Sequence, residues 1–96
     1  MSKKKIVEDV SKEYKERLEK LDSLEQEFVD SVVKLRKDRK LTQQEVADDA
    51  KVIRETIARI ENRITSPQVN TLLKILEPFG YTIKITKISK KKENKN

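Results

Sequence analysis

The sequence has 96 residues, of which 42% are charged and 34% are hydrophobic, and its formal net charge is +6. A chain this short can bury only one modest core, and so much charge with a single glycine favours helices over a many-stranded fold. Because cysteine and histidine are both absent, we expect no disulfide, no metal, no cofactor and a location in the reducing cytoplasm. No stretch reaches the roughly 20 apolar residues of a membrane span. The positive charge favours an anionic partner, such as nucleic acid, an acidic protein or an anionic membrane surface.

The first predicted element is a highly charged helix within residues 1–22, whose apolar residues recur every three or four positions and form one narrow stripe. The stripe consists of Ile6, Val10, Tyr14, Leu18 and Leu21. An isolated helix of this length is marginal in water, so the stripe must pack on another surface. That surface is either the same domain or a second copy, or the helix is an arm that folds into the groove of a different protein.

A second helix is predicted to begin near Ser23, where Ser-Leu-Glu-Gln has the spacing of a capping box. Its apolar face is wider than the stripe, which is typical of a core helix. That face consists of Phe28, Val29, Val32, Val33 and Leu35. The helix ends in the basic run of residues 36–40, which suits a helix C-terminus through the macrodipole and could equally approach phosphates.

Two short helices joined by a tight corner are predicted over residues 41–62. Thr42 and Glu45 form a capping box at the start of the first helix, and helical periodicity is interrupted at residues 51–53 before it resumes. The residues predicted to point inward are Val46, Ala47, Ala50, Val52, Ile57, Ala58 and Ile60. The other face of the second helix carries long or polar side chains that can reach phosphates or base edges. These are Arg54, Glu55, Thr56, Arg59 and Arg63.

A fifth helix is predicted after the loop at residues 63–67, with Ser66 as its N-cap and Pro67 at its first position. Pro78 and Gly80 mark its end, since glycine suits a left-handed C-cap. Its predicted buried face consists of Val69, Leu72, Leu73, Ile75 and Leu76.

Residues 81–88 change to the alternating, β-branched pattern of a strand with one apolar face, formed by Tyr81, Ile83 and Ile85. No second strand is predicted in the chain, so the pairing partner must come from another chain. We predict that this is a dimerisation strand paired with a second copy, and the alternative is addition to the sheet edge of a different protein. The polar, basic tail of residues 89–96 is predicted to be disordered.

Catalysis is not expected from these residues. Asp48 and Asp49 are adjacent and therefore point to different faces of a helix, and no histidine can act as a base. The serines are better explained as cap or surface residues. We therefore expect a binding protein and not an enzyme.

The segment LTQQEVADDAKVIRETIARIENRITSPQVNTLLKIL resembles the helix-turn-helix domain of the Cro and phage-repressor family, also called the XRE family. The resemblance covers residues 29–80 and implies an all-α, lambda-repressor-like domain over residues 23–80, so that the prediction is a five-helix chain whose first helix precedes this domain. It also implies that the second helix of the pair lies in the major groove. Arg54, Glu55, Thr56 and Arg59 would face base edges, and Gln43, Asn62 and Arg63 would contact phosphates. Lys51 stands where the family usually has glycine, so the resemblance implies a left-handed backbone at Lys51. Ile53 stands where the family usually has a small polar N-cap, so the second helix would begin without a side-chain cap.

The flanking segments resemble those of small HigA-type antitoxins, which have a charged helix before the domain and a short strand after it. This resemblance implies a dimer that represses its own operon by binding palindromic DNA, and that neutralises a HigB/RelE-like ribonuclease cleaving messenger RNA. The stripe at Ile6, Val10, Tyr14, Leu18 and Leu21 would then be the toxin contact. The alternatives are a stand-alone XRE-family repressor without a toxin partner, and a helical interaction protein that does not bind DNA.

Overall fold

The computed structural model describes the backbone of residues 2–88 and the side chains of residues 11–88. This part of the chain is all-α. Its elements are α1 (Ser2–Asp38), α2 (Gln43–Ala50), α3 (Arg54–Glu61), α4 (Val69–Leu76) and a 3-10 helix (Glu77–Phe79). None of the helices described is long and apolar enough to cross a bilayer. The tail predicted at residues 89–96 lies outside the described residues.

The two helices predicted before residue 41 are one continuous helix, so the prediction of a break and a capping box at Ser23 was wrong. Neither glycine nor proline interrupts this stretch, and good helix formers stand on both sides of Asp22 and Ser23. Keeping these two residues helical costs roughly 1 kcal/mol in propensity, which is less unfavourable than nucleating a second helix. The described chain therefore has four α-helices and not five.

The two halves of α1 have different surroundings. Every side chain described from residue 11 to residue 24 is exposed, whereas Val29 and Val32 are buried in the core. At about 1.5 Å per residue, the first 20 residues of the helix extend for roughly 30 Å. Residues 11–24 of α1 therefore present their side chains to solvent, and the C-terminal half of the helix forms part of the domain.

The core lies between the C-terminal half of α1 and the three shorter helices. It consists of Val29, Val32, Val46, Ala47, Ala50, Ile57, Ile60, Ile75, Leu76 and Phe79. The periodicity predicted all of these except Phe79, which reaches the core because the 3-10 helix turns the chain back after α4.

The buried face predicted for α4 was too wide, since Val69 is 63% exposed and Leu73 is 40% exposed. Only Ile75 and Leu76 of this eight-residue helix are buried. The predicted start at Ser66 and Pro67 was also wrong, because α4 has Gln68 as its N-cap, without a side-chain cap. The Ser66 hydroxyl donates instead to Oε2 of Glu25 at 2.9 Å, so it does not cap its own helix.

The strand predicted at residues 81–88 is not confirmed. These residues form neither helix nor strand in the single chain, and all eight are exposed, Ile85 completely. A strand needs hydrogen bonds from a neighbour, and the prediction placed that neighbour in another chain. Pairing of this segment with a second copy therefore stays a prediction.

Each of the four α-helical stretches is followed by a residue in the left-handed region. The residues are Lys40 (φ 57), Lys51 (φ 63), Arg63 (φ 59) and, after the 3-10 turn, Gly80 (φ 86). At the corner between α2 and α3, Lys51 N–H donates to Asp48 O at 3.3 Å and Val52 N–H donates to Ala47 O at 3.0 Å. These two bonds form a Schellman motif, so the left-handed conformation predicted for Lys51 is confirmed.

Replacing Lys51 with glycine is expected to raise the free energy of unfolding by about 1 kcal/mol, because glycine adopts a positive φ without a Cβ clash. The matched control is Lys37→Gly, which places glycine in the last turn of α1. It is expected to lower the free energy of unfolding by about 1 kcal/mol. Urea unfolding measures both changes, and a Lys51→Gly variant no more stable than the wild type would contradict the expectation.

Candidate nucleic-acid interface

Helices α2 and α3 form the two-helix unit predicted at residues 41–62. The capping box is confirmed: Glu45 N–H donates to Thr42 Oγ1 at 3.0 Å, and Thr42 N–H donates to Glu45 Oε1 at 2.8 Å. α3 begins after Ile53, whose backbone is extended and whose side chain supplies no cap. The buried residues Val46, Ala47 and Ala50 of α2 and Ile57 and Ile60 of α3 hold the two helices together.

The outward face of α3 carries the residues predicted to face base edges. Arg54, Glu55 and Arg59 are exposed, and Thr56 is half-buried. Two arginines and a glutamate on one short exposed helix can donate to guanine and accept from cytosine in a major groove. The fold thus brings all four residues together on one helix, and Thr56 has the least room to reach a base.

A polar network connects this face to the domain. Glu61, at the end of α3, accepts from Arg36 Nε at 2.7 Å and from Arg36 Nη2 at 2.9 Å, which is a two-point ion pair between α1 and α3. Gln43 Nε2 donates to the same carboxylate at 2.9 Å. The Gln43 Oε1 atom in turn accepts from Arg54 Nη1 at 3.3 Å.

The consequence is that Arg54 is oriented through Gln43 and Glu61 by Arg36. The Arg36 and Glu61 side chains are only 14% and 9% exposed, so the ion pair is mostly removed from water. Arg36 Nη1 also donates to Leu41 O at 2.9 Å, which ties the end of α1 to the start of the two-helix unit. Such a network positions Arg54 before any partner binds.

The ion pair changes the pKa of both of its members. Burial pushes the pKa of Glu61 up, but the hydrogen bonds from Arg36 and Gln43 and the charges of Arg36 and Lys37 outweigh burial, so this pKa lies below its ordinary value. The hydrogen bond and charge of Glu61 raise the pKa of Arg36 despite its burial. Both groups are therefore ionised at neutral pH.

Gln43 was predicted to contact a phosphate, and the structure places it at the first position of α2, half-buried beside Arg54. Asn62 is exposed and forms the C-cap of α3. Arg63 lies apart from the outward face of α3, because its guanidinium bonds Asp22 and Gln26 of α1. The phosphate contacts of these three residues remain predictions.

Sequence reasoning did not identify Arg36 and Glu61 as a structural pair, and it left the basic run of residues 36–40 open to phosphate contact. Arg39 in this run also has a structural role, since its Nη2 donates to Phe79 O at 3.2 Å and its guanidinium lies 5.1 Å from the Phe79 ring centroid. The sequence did indicate that Arg36 points toward the core, because it follows Val29 and Val32 at helical spacing on the same face of α1.

The other predicted binding surfaces are also accessible. Tyr14, Leu18 and Leu21 of the stripe are exposed, whereas the side chains of Ile6 and Val10 lie outside the described residues. The predicted dimerisation residues Tyr81, Ile83 and Ile85 are exposed as well.

A capped helix, a tight corner and an exposed, arginine-bearing second helix define a helix-turn-helix DNA-binding protein. A helix-turn-helix family model of the XRE type matches residues 32–85, and the chain belongs to this family of DNA-binding transcriptional regulators. Comparison with curated proteins and with solved structures found no match.

Proposed function

We propose that this protein is a dimeric repressor that binds a palindromic operator upstream of its own gene and places α3 of each copy in the major groove. The observation that carries the proposal is the exposed face of α3, on which Arg54 is held by Gln43. Arg54 and Arg59 read bases, Glu55 and Thr56 contribute to the same surface, and Gln43 and Asn62 contact phosphates. With a net charge of +6, affinity falls steeply as salt rises.

Dimerisation allows the protein to recognise two half-sites of the operator at once. One α3 helix spans only a few base pairs, so two copies must be held about 34 Å apart to meet successive major grooves. Residues 81–88 supply the contact, with Tyr81, Ile83 and Ile85 pairing against the same segment of a second copy. The exposure of these apolar side chains in the single chain supports this role.

The finer proposal is that the repressor is the antitoxin of a toxin–antitoxin pair and neutralises a ribonuclease that cleaves messenger RNA. The stripe at Tyr14, Leu18 and Leu21, continued toward the N-terminus by Ile6 and Val10, is the toxin contact. Three exposed leucine or tyrosine side chains in one row, within the stretch of residues 11–24 where every side chain is exposed, support a protein partner. Acidic residues near the stripe, such as Glu13 and Glu19, complement a basic ribonuclease.

A stand-alone repressor without a toxin is the alternative, and the neighbouring reading frame distinguishes the two. The antitoxin proposal requires a small, basic, ribonuclease-like protein encoded beside this one. Replacing Leu18 and Leu21 with alanine is expected to weaken binding to that protein by at least tenfold, because each leucine buries apolar area worth about 1.5–3 kcal/mol. Isothermal titration measures the change.

The matched control replaces Glu16 and Lys20 with alanine, since these residues lie on the same exposed stretch of α1 and their combined loss leaves the net charge unchanged. Operator affinity, measured by gel shift, should be the same for both variants and the wild type. Loss of DNA binding together with partner binding would instead identify the stripe as part of the domain's own packing.

A further inference from the structure

The guanidinium of Arg63 lies among side chains of α1 that are about 40 residues away in sequence. Its Nη1 donates to Gln26 Oε1 at 2.5 Å, its Nη2 donates to Asp22 Oδ1, and Glu25 Oε1 lies 3.6 Å from Nη2. Glu25 uses its other oxygen to accept from the Ser66 hydroxyl at 2.9 Å. We call Arg63, Asp22, Glu25, Gln26 and Ser66 the loop cluster.

The loop cluster fastens the segment after α3 to the point where α1 leaves the domain. Asp22, Glu25 and Gln26 are spaced three and four residues apart and therefore share one face of α1. Arg63 and Ser66 hold the α3–α4 loop against that face from two positions. Arg63 follows α3 closely, and its backbone N–H and that of Ile64 complete the C-terminal hydrogen bonds of this helix.

We propose that the loop cluster is an autoinhibitory contact that withholds Arg63 from DNA phosphates, an inference that rests on the proposed DNA binding. Carboxylate and phosphate oxygens make the same charge-assisted bonds to a guanidinium, so they compete for Arg63. Its contacts with Asp22 and Glu25 take up the charge that phosphate would use. Neutralising these acids releases Arg63 to the nucleic acid.

The ion pairs of Arg63 with Asp22 and Glu25 are weak enough for a phosphate to replace them. The Asp22 side chain is 67% exposed, and ion pairs in water contribute little because solvent screens them. The ion pair between Arg36 and Glu61 differs from that of Arg63, because the Glu61 side chain is almost fully buried and little solvent screens the pair. Arg63 is thus the basic group beside α3 whose engagement can change without disturbing the core.

The same acids also connect the loop cluster to the stripe. Asp22 and Glu25 line an open groove along α1 together with Leu18 and Leu21. A basic partner seated on the stripe would draw these carboxylates away from Arg63 and so tighten DNA binding. Because linkage is reciprocal, bound DNA would raise the affinity of the protein for that partner by the same factor.

The test replaces Asp22 with asparagine and Glu25 with glutamine in the full chain and measures binding to two duplexes by fluorescence anisotropy. One duplex is the region upstream of its own gene, and the other is an unrelated sequence of equal length. Affinity for both duplexes is expected to rise about two- to fivefold, because the variant gains a phosphate contact. The slope of log affinity against log salt concentration should become steeper by about 0.9, the contribution of one phosphate contact.

The control pair, Glu19→Gln with Glu27→Gln, makes the same change of charge on α1 at positions outside the loop cluster. In an Arg63→Asn background the gain should vanish, and asparagine is chosen because it tolerates the left-handed backbone of this position. A gain no larger than that of the control pair, or one that persists without Arg63, would overturn the autoinhibitory contact alone. A wild-type chain that binds neither duplex would contradict DNA binding as well.

Discussion

Replacing Arg54 or Arg59 with alanine is expected to reduce operator affinity about 5- to 150-fold each. A good arginine contact with a base contributes about 1–3 kcal/mol, and both side chains are exposed on α3, where a major groove would receive them. The loss for Arg54 should be the larger, because Gln43 already orients its guanidinium. Gel shifts at fixed salt against operator and unrelated duplexes measure the change.

The control for this prediction is Arg17→Ala, which removes the same charge from the exposed N-terminal half of α1. This control should reduce affinity for both duplexes slightly and equally, because it removes only sequence-independent electrostatic attraction to the phosphates. Replacing Arg54 or Arg59 should reduce affinity for the operator far more than affinity for the unrelated duplex. Equal losses on both duplexes would assign Arg54 and Arg59 to phosphates and remove them from base readout.

Replacing Glu61 with glutamine is expected to lower the free energy of unfolding by roughly 2–4 kcal/mol at neutral pH. The change leaves the Arg36 charge mostly buried without a counter-charge, and losing one member of a buried ion pair costs about 3–5 kcal/mol; the residual exposure of both side chains reduces that figure. This is a large part of the 5–15 kcal/mol that stabilises a typical domain. Urea unfolding of both proteins measures the difference.

The effect of Glu61 should depend on pH in a defined direction. Its pKa is lower in the folded chain than its ordinary value, so its contribution is complete above the ordinary pKa of about 4.3. The contribution is lost as pH falls through the lower, folded pKa. The two proteins should therefore approach each other in stability at acidic pH, once the pH falls below the lowered, folded pKa and the wild-type carboxyl is also protonated.

The exposed pair between Lys34 and Asp38 provides the control for the ion pair. Its nitrogen and oxygen lie 3.0 Å apart, but both side chains are largely in water, so Asp38→Asn should change the unfolding free energy by at most about 0.5 kcal/mol. If Glu61→Gln and Asp38→Asn had equal effects, the Arg36–Glu61 pair would not be what holds α1 to α3. In that case Arg54 would also lose its proposed support.

The two-helix unit was predictable because its signals are local. The capping box at Thr42 and Glu45 places both partners within one turn, and the periodicity of α2 and α3 identifies their buried faces without reference to other elements. The break in periodicity at residues 51–53 predicted the corner, and the family resemblance, with glycine usual at this position, implied the left-handed backbone of Lys51.

The errors arose where local signals competed with one another or with distant contacts. Ser23 has the spacing of a capping box, yet the helix continues through it, because keeping Asp22 and Ser23 helical costs less than nucleating a second helix. Ser66 is a good N-cap by residue type, yet its hydroxyl bonds Glu25, 41 residues away. The width of the α4 face was overestimated because periodicity shows which residues share a face but not how much of that face a neighbour covers.

By itself, the sequence determined the helical class, the helix-turn-helix unit and the residues on the outward face of α3, because hydrophobic period and capping act within a few residues. Only the tertiary structure decided which basic residues are engaged within the protein. Arg36 is held by Glu61 and Arg63 by Asp22, while Arg54 and Arg59 stay exposed on α3. These pairings join residues 25 and 41 positions apart, so they exist only after the core has brought α1 and α3 together.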